Sequence, residues 1–185
     1  LLGTFFTPRV HARYTPWEKS ALRGSFGRGI RSVNIFTENQ KLFATSRQIN
    51  LQSSGGAIYG LDPEIAWNYG VSFLQGFNIF GRKADLTLDF YRTDFESQVV
   101  VDYENPYQIN FYNLKGASYA NSFQAELSLN LMTYFNFKTA YKFYDVQTQY
   151  ESGKLKKPLT SQHRYFANLS YESYSKKGDG VWKFD

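Results

Sequence analysis

The most constraining feature of this sequence is the order of its connections, which alternate between short and long along the whole chain. Strands are predicted where apolar and polar residues alternate, because successive side chains of a strand point to opposite faces. The alternation covers the segments 8–15, 20–28, 66–77, 84–98, 119–131, 135–148, 163–173 and 180–185. These segments predict an all-β chain, an antiparallel meander of about eight strands.

The predicted connections are sorted by length. The short turns are expected at Trp17, 80–83, 132–134 and 176–178. The longer connections are 30–64, 96–118 and 151–162. An up-and-down meander with this order has all its short turns at one end and its long loops at the other. Outer-membrane β-barrels are built in this way, whereas a globular sandwich has no reason to sort its loops.

The segment from Asn121 to Leu131 shows the alternation most clearly. Its apolar face consists of Phe123, Ala125, Leu127, Leu129 and Leu131, and polar residues occupy the positions between them. Several predicted strands reach the about 9–11 residues that a tilted strand needs to cross a bilayer, whereas soluble strands typically have about 5–6. Aromatic residues near both ends of the apolar faces match the aromatic girdles of membrane interfaces.

The face opposite the apolar one carries charged side chains, which suit a water-filled lumen better than the core of a sandwich. The charges predicted to face the lumen and to have a structural role are Asp85, Asp89, Glu126, Lys138 and Lys142. If residues 132–134 form a tight hairpin, Glu126 lies opposite Ala140 and diagonal to both lysines. We expect cross-strand charge pairs of this kind to contribute about 0.2–1 kcal/mol each.

The residue types needed for catalysis are largely missing. The chain has no cysteine, and neither His11 nor His163 has a second ligand at metal-binding spacing. The acidic residues between Asp94 and Glu104 could hold calcium, but their spacing matches no calcium loop and an exposed acidic loop is favoured. No nucleophile, general base or paired-carboxylate site can be assembled. We therefore expect no catalytic residues, no metal, no cofactor and no enzymatic activity.

The formal net charge is +5, and the basic residues are scattered along the chain. RNA binding by a basic β-protein would need clustered charges interleaved with aromatic residues on one face, whereas here the aromatic residues lie mainly opposite the charges. No nucleic-acid partner is therefore expected. No apolar run approaches the about 20 residues of a membrane-spanning helix.

Several segments resemble TonB-dependent outer-membrane receptors. Residues 7–16 followed by 22–39 are similar to a hairpin of that family that rises into a long extracellular loop. Leu61–Ser72 resembles the family pattern L-x-P-E-x-x-x-N-x-G, in which a strand begins. The segments 89–101, 111–114 and 122–127 are similar to the strands that come next in members of that family. The resemblance covers nearly the whole chain, and the most similar receptors are those of Bacteroidetes-type bacteria.

The resemblance implies a transmembrane barrel of about 22 strands with an N-terminal plug that couples to TonB, ExbB and ExbD in the inner membrane. It also implies a place in the bacterial outer membrane, in contact with its lipid. The implied function is active import of a scarce nutrient such as a siderophore or other metal complex, or cobalamin. Residues 1–185 contain no plug, TonB box or signal peptide, and are interpreted as an internal part of the barrel domain.

Ligand contacts are expected on the long loops, because binding residues are commonly carried by loops on a rigid scaffold. The candidates are aromatic and basic loop residues, namely Arg31, Phe36, Phe43, Tyr59, Tyr107 and Tyr112. For each of them, packing within the loops is at least as good an explanation. Siderophore, haem, cobalamin, metal complex, glycan and peptide all remain open as ligands.

A self-contained β-barrel or β-sandwich that binds a carbohydrate or a lipid is the alternative interpretation, since aromatic-rich strands suit such ligands. The great length of the connection 30–64 and the short last strand argue against it.

Overall fold

The computed structural model describes residues 4–114, 116–150, 153–156, 160–174 and 181–184. In chain order its elements are β1 (Arg9–Tyr14), β2 (Ser20–Arg31), α1 (Ile35–Glu38), α2 (Gln40–Phe43), β3 (Gln48–Leu51), β4 (Glu64–Ile79), β5 (Arg82–Ser97), β6 (Val99–Asp102), β7 (Gln108–Asn113), β8 (Ser118–Met132), β9 (Phe135–Tyr150), β10 (Gly153–Lys156), β11 (His163–Tyr174) and β12 (Val181–Phe184).

The main sheet is an antiparallel meander with the strand order β1-β2-β4-β5-β8-β9-β11-β12, and β10 pairs with β9. The prediction of an up-and-down meander is therefore confirmed. Two strands are longer than their patterns indicated, because pairing of β2 with β4 continues as far as Arg31 and Glu64. With 16 residues each, β4, β5 and β9 exceed the about 9–11 residues needed to cross a bilayer.

Two of the predicted short connections, 80–83 and 132–134, are tight hairpins, whereas the one predicted at 176–178 lies outside the described residues. Between β4 and β5, Phe80 and Gly81 have φ values of 48° and 74°, which is typical of a two-residue turn that matches the twist of its strands. Between β8 and β9, Thr133 and Tyr134 close the next short connection. Both turns lie at the same end of the sheet, because the strands they join run antiparallel and in order.

The register separates two faces of the main sheet. We call the face that carries Asp85, Asp89, Glu126, Lys138 and Lys142 the polar face, and the opposite one the apolar face. Glu126 pairs with Ala140, which confirms the register predicted from the hairpin. Lys138 Nζ lies 2.8 Å from Glu126 Oε1, so one of the two expected diagonal charge pairs is formed. Both side chains are partly exposed, and such a pair contributes at most about 1 kcal/mol.

The two longest connections are folded, whereas the sequence indicated only long loops. Residues 32–63 contain α1, α2 and β3, and residues 98–114 contain β6 and β7. We call these two segments together the loop cap. β3 pairs in parallel with β7, and β6 pairs antiparallel with β7, so that one small sheet joins both connections. Neither helix in the described part of the chain is long and apolar enough to span a membrane.

The loop cap has its own hydrophobic core. The first connection contributes Val33, Ile35 and Leu61, and the second contributes Val99, Ile109 and Phe111. Phe111 is fully buried. Burying side chains of this size contributes about 1.5–3 kcal/mol each. This core holds the two connections together at the long-loop end of the main sheet.

Candidate functional site

Side-chain hydrogen bonds fix the two connections of the loop cap to each other. The Asn113 amide oxygen accepts hydrogen bonds from Ser54 Oγ at 2.7 Å and from the Asp62 backbone nitrogen at 2.9 Å. The Asn113 amide nitrogen donates to the Asp62 carbonyl at 3.1 Å. Along the parallel pair, Asn50 Nδ2 donates to Asn110 Oδ1 at 3.1 Å. These bonds fix the two connections relative to each other before any ligand is bound. Such preorganisation lowers the conformational entropy cost of binding.

A charge cluster connects the loop cap to the main sheet. Arg31 and Glu64 pair across β2 and β4, and Arg31 Nε donates to Glu64 Oε2 at 2.9 Å. A nitrogen of the same guanidinium lies 3.2 Å from Glu38 Oε2. The Glu64 carboxylate also accepts a hydrogen bond from the Val99 backbone nitrogen at 3.2 Å, which attaches the second connection. The hydrogen bond to Glu64 raises the pKa of Arg31 above its usual value. These contacts of Arg31 and Glu64 hold the cap in place.

Three of the predicted ligand residues come together in one aromatic triad, formed by Phe36, Phe43 and Tyr59. The rings of Phe36 and Phe43 stack with centroids 4.9 Å apart, and Tyr59 meets Phe36 edge-on at 5.4 Å. Phe43 stacks in turn on buried Phe111 at 6.0 Å, so the triad is rooted in the core of the cap. Phe36 is 49% exposed and Tyr59 is 43% exposed. The rings of Phe36 and Tyr59 therefore remain available for stacking on a ligand.

The turn that carries Tyr59 is conformationally unusual. Tyr59 has a φ of 54°, and the following Gly60 has a φ of 75°. A left-handed backbone costs an ordinary residue about 1–2 kcal/mol. The turn is held by hydrogen bonds from the Ser54 and Gly56 backbone nitrogens to the Gly60 carbonyl, at 2.8 and 3.1 Å. The fold thus maintains the Tyr59 ring beside Phe36 against a local cost.

The remaining two predicted ligand residues lie apart from the triad. Tyr107 is 80% exposed in the turn between β6 and β7. Tyr112 is buried, and its hydroxyl donates to Asp102 Oδ2 at 3.4 Å. The environment of Tyr112 favours a packing role, while Tyr107 is open to solvent. Ligand contact stays a prediction for all six residues.

The acidic residues near the end of β5 are distributed over separate contacts. Asp94 binds the Arg92 guanidinium, and Glu96 binds that of Arg28 with a closest distance of 3.0 Å. Asp102 is buried and accepts from Tyr112 and from the Glu104 backbone nitrogen. Within the described ranges, no group of three or more histidine or acidic residues could hold a metal ion. These contacts account for the carboxylates of Asp94, Glu96 and Asp102.

The predicted lumen charges follow the register along the polar face. Asp85 pairs with Gly76 and Ser128, and Asp89 pairs with Ser72 and Gln124. Lys142 Nζ lies 4.7 Å from the centre of the Tyr144 ring. That these side chains face a lumen remains a prediction.

Charged residues also lie on the apolar face at the long-loop end, and they were not predicted from the sequence. Arg28 lies 5.9 Å from the centre of the Trp67 ring, and Arg92 lies 4.8 Å from that of Tyr119. Residues two positions apart in a strand lie on the same face, and Arg28 follows the apolar residue Phe26 by two positions. This spacing is the sequence signal that could have placed both arginines on the apolar face. Arginine over an aromatic ring is typical of a boundary between apolar and polar surroundings. The apolar face therefore ends at these residues.

Three solved structures are similar to this chain in fold. A FpvAI–pyocin S2 complex matches with a TM-score of 0.61 and 17% identity over 93% of this chain and 21% of the other. FpvA of P. aeruginosa bound to a heterologous pyoverdine–iron complex matches with a TM-score of 0.60 and 17% identity over 92% of this chain and 21% of the other. The siderophore receptor PirA of Pseudomonas aeruginosa matches with a TM-score of 0.50 and 12% identity over 92% of this chain and 36% of the other.

These matches show a common fold, and the chain spans about a fifth of the length of the first two structures. Comparison with curated protein sequences gave no significant match. The family of TonB dependent receptor-like β-barrels matches residues 2–184. The chain therefore belongs to the TonB-dependent receptor β-barrel family, whose members are transport receptors of the Gram-negative outer membrane and not enzymes.

Proposed function

We propose that this chain is part of an outer-membrane receptor that binds a scarce nutrient outside the cell and imports it with energy transmitted by TonB. The observation that carries the proposal is the loop cap, which presents the aromatic triad at the long-loop end of the meander. Membership of the TonB-dependent receptor β-barrel family supports a transport function for the surface of the loop cap. Residues 1–185 form one part of the barrel domain in this proposal.

The proposed nutrient is a siderophore, another metal complex, cobalamin or a similar molecule. Support comes from the structural neighbours, one of which is bound to a pyoverdine–iron complex while another is a siderophore receptor. The triad supports it independently, because exposed aromatic rings stack well on the planar or apolar parts of such molecules. The Bacteroidetes-type subclass stays a prediction from sequence.

The proposed partners follow from the mode of energy supply. TonB, ExbB and ExbD would act through a plug of the full-length receptor, and outer-membrane lipid would surround the barrel. The apolar face of the meander supports contact with lipid, since it exposes large side chains such as Val71, Phe90 and Leu169.

The import proposal can be tested without knowing the ligand. Cells of the native host are grown with limiting nutrients, and their iron and cobalt contents are measured by mass spectrometry. Deleting the receptor gene should lower one of the two metals, and deleting tonB should lower the same metal. Unchanged contents of both metals after deletion of the receptor gene would contradict import of a metal complex.

The role of the triad is tested in the same cells. Restoring the receptor with Phe36→Ala and Tyr59→Ala together should lower uptake at limiting nutrient by about tenfold, since each aromatic contact contributes about 0.5–1.5 kcal/mol. Tyr165→Ala is the matched control, because Tyr165 is 80% exposed on β11, away from the loop cap. Equal uptake by the double variant and the control would remove the triad from the site.

A further inference from the structure

A recess lies in the loop region, apart from the aromatic triad. We propose that it is a subsite for an uncharged aromatic ring of the ligand, an inference that rests on the proposed import function. Its volume is about 350 Å³, and it is lined by Val101, Tyr103, Glu104, Tyr150, Leu155 and Lys156. It lies between the turn that follows β6 and the hairpin formed by β9 and β10.

The register places this recess on the polar side of the main sheet. Leu155 of β10 pairs with Thr148 of β9, and Tyr150 follows two positions later. Both β9 residues have the same parity as Lys138 and Lys142, so they belong to the polar face. The recess therefore opens at the long-loop end of the side that the sequence predicts to face the lumen. A ligand that enters from the loops would pass this position.

Both walls of the recess are held by the surrounding structure. On the β6 side, Val101 packs against the core of the loop cap, and buried Asp102 accepts a hydrogen bond from the Glu104 backbone nitrogen at 3.0 Å. On the other side, β10 pairs with β9 from Gly153 to Lys156, and Leu155 is fixed by its pairing with Thr148. A recess between a hydrogen-bonded turn and a paired strand needs little rearrangement to accept a ring.

The lining selects for an apolar ring without charge. Val101 and Leu155 supply aliphatic surface, and Tyr103 and Tyr150 supply two phenol rings that can stack on a flat ligand. Tyr150 lies beyond the last β9 residue paired with β8, in the loop region. Its pKa is raised by burial and by the nearby Tyr103, Asp102 and Glu104. Glu104 and Lys156 are the charged residues of the lining and have opposite signs, so the recess offers no net charge to a charged ligand.

The test uses cysteine labelling of the full-length receptor in detergent, with any cysteines elsewhere replaced by serine. These 185 residues contain no cysteine, so Leu155→Cys introduces one reactive position in the recess. Saturating 2-naphthol should slow maleimide labelling of this variant, by about tenfold when the probe is at about ten times its Kd. Naphthalene-2-carboxylate, which has the same rings and a negative charge, should protect much less. Cyclohexanol should also protect less, since it cannot stack on the tyrosines.

Three variants make the result specific. Tyr150→Ala in the Leu155→Cys background should abolish protection, and Tyr150→Phe should retain it, which separates loss of the ring from a folding defect. Tyr165→Cys, on the opposite face, should be labelled at the same rate with and without 2-naphthol. Absence of protection in the Leu155→Cys receptor would overturn the subsite, and equal protection by naphthol and carboxylate would overturn the preference for an uncharged ring. Because labelling does not require import, failure of the subsite and failure of the transport proposal are distinguishable.

Discussion

At the scale of single residues, the polar face contains one unusually close approach in the middle of β4. Gly70 pairs with Ser25 of β2 on one side and with Tyr91 of β5 on the other. A Cβ atom at position 70 would lie 2.4 Å from Ser25 Oγ and 2.5 Å from Tyr91 Cε1. The tyrosine ring thus lies over the glycine and covers backbone that no side chain of its own protects. An aromatic neighbour that covers a strand glycine is a known way of stabilising such a position.

The close approach predicts a cost for any side chain at position 70. Gly70→Ala should destabilise the full-length receptor by about 1–3 kcal/mol, because Ser25 and the Tyr91 ring must move to make room. The free energy of unfolding is measured by urea titration of the receptor in lipid vesicles. Gly24→Ala is the matched control, since no atom lies within 4 Å of a Cβ there. Equal effects of the two substitutions would show that the Tyr91 contact is unimportant.

At the scale of elements, the sequence predicts the long strands well because their information is local. Alternation over ten or more residues specifies both the strand and the face of each side chain, and the hairpin at 132–134 was enough to predict that Glu126 pairs with Ala140. The folded connections were missed because β3 and β6 have only four residues each. β3 pairs with β7, and Ile49 lies opposite Ile109, a contact between residues far apart in sequence. A pattern within one segment cannot show such pairing.

The sequence predicted which types of residue would form the candidate site, but it did not predict how they are arranged. Aromatic residues on the long connections could be selected as candidates, but nothing local distinguishes exposed Phe36 from buried Tyr112. That distinction arises because the two connections pack on Phe111, which belongs to one of them and supports Phe43 of the other. The recess beside Tyr150 was missed for the same reason, since its two walls come from separate connections.

The loop cap is predicted to be a cooperative unit that depends on its own core. Phe111→Ala should reduce its local stability by about 3–5 kcal/mol, because a fully buried ring is replaced by a cavity. Limited proteolysis of the receptor in proteoliposomes should then cleave residues 32–63 and 98–114 faster. The main sheet should remain intact, as shown by unchanged heat-modifiable mobility in gels. Tyr107→Ala, an exposed position in the second connection, should leave the cleavage rate unchanged. Loss of the heat-modifiable form in Phe111→Ala would show that cap and sheet fold as one unit.

At the scale of the whole molecule, the chain exposes much more surface than a globular protein of its size. Its accessible surface is 12532 Å², whereas a folded globular chain of 21.4 kDa is expected to have about 9,100 Å². The described sheet is open, with β1 and β12 at the ends of its strand order. The apolar face exposes large side chains such as Val71, Phe90 and Leu169, whereas soluble monomers rarely expose contiguous apolar patches above about 600 Å². A bilayer is the surrounding that we propose for this face.

This division into two faces gives the most general prediction, which concerns two consecutive residues of β8. In the complete receptor in lipid vesicles, a spin label on Leu127→Cys should collide mainly with oxygen, which is concentrated in lipid. A label on Glu126→Cys should collide mainly with a water-soluble nickel complex, because successive side chains of a strand point to opposite faces. Leu86 and Thr87 of β5 pair with Leu127 and Glu126, so labels on Leu86→Cys and Thr87→Cys should repeat the contrast. If both labels on β8 reported the same medium, the apolar face would not be in lipid, and the barrel on which the import proposal rests would be excluded.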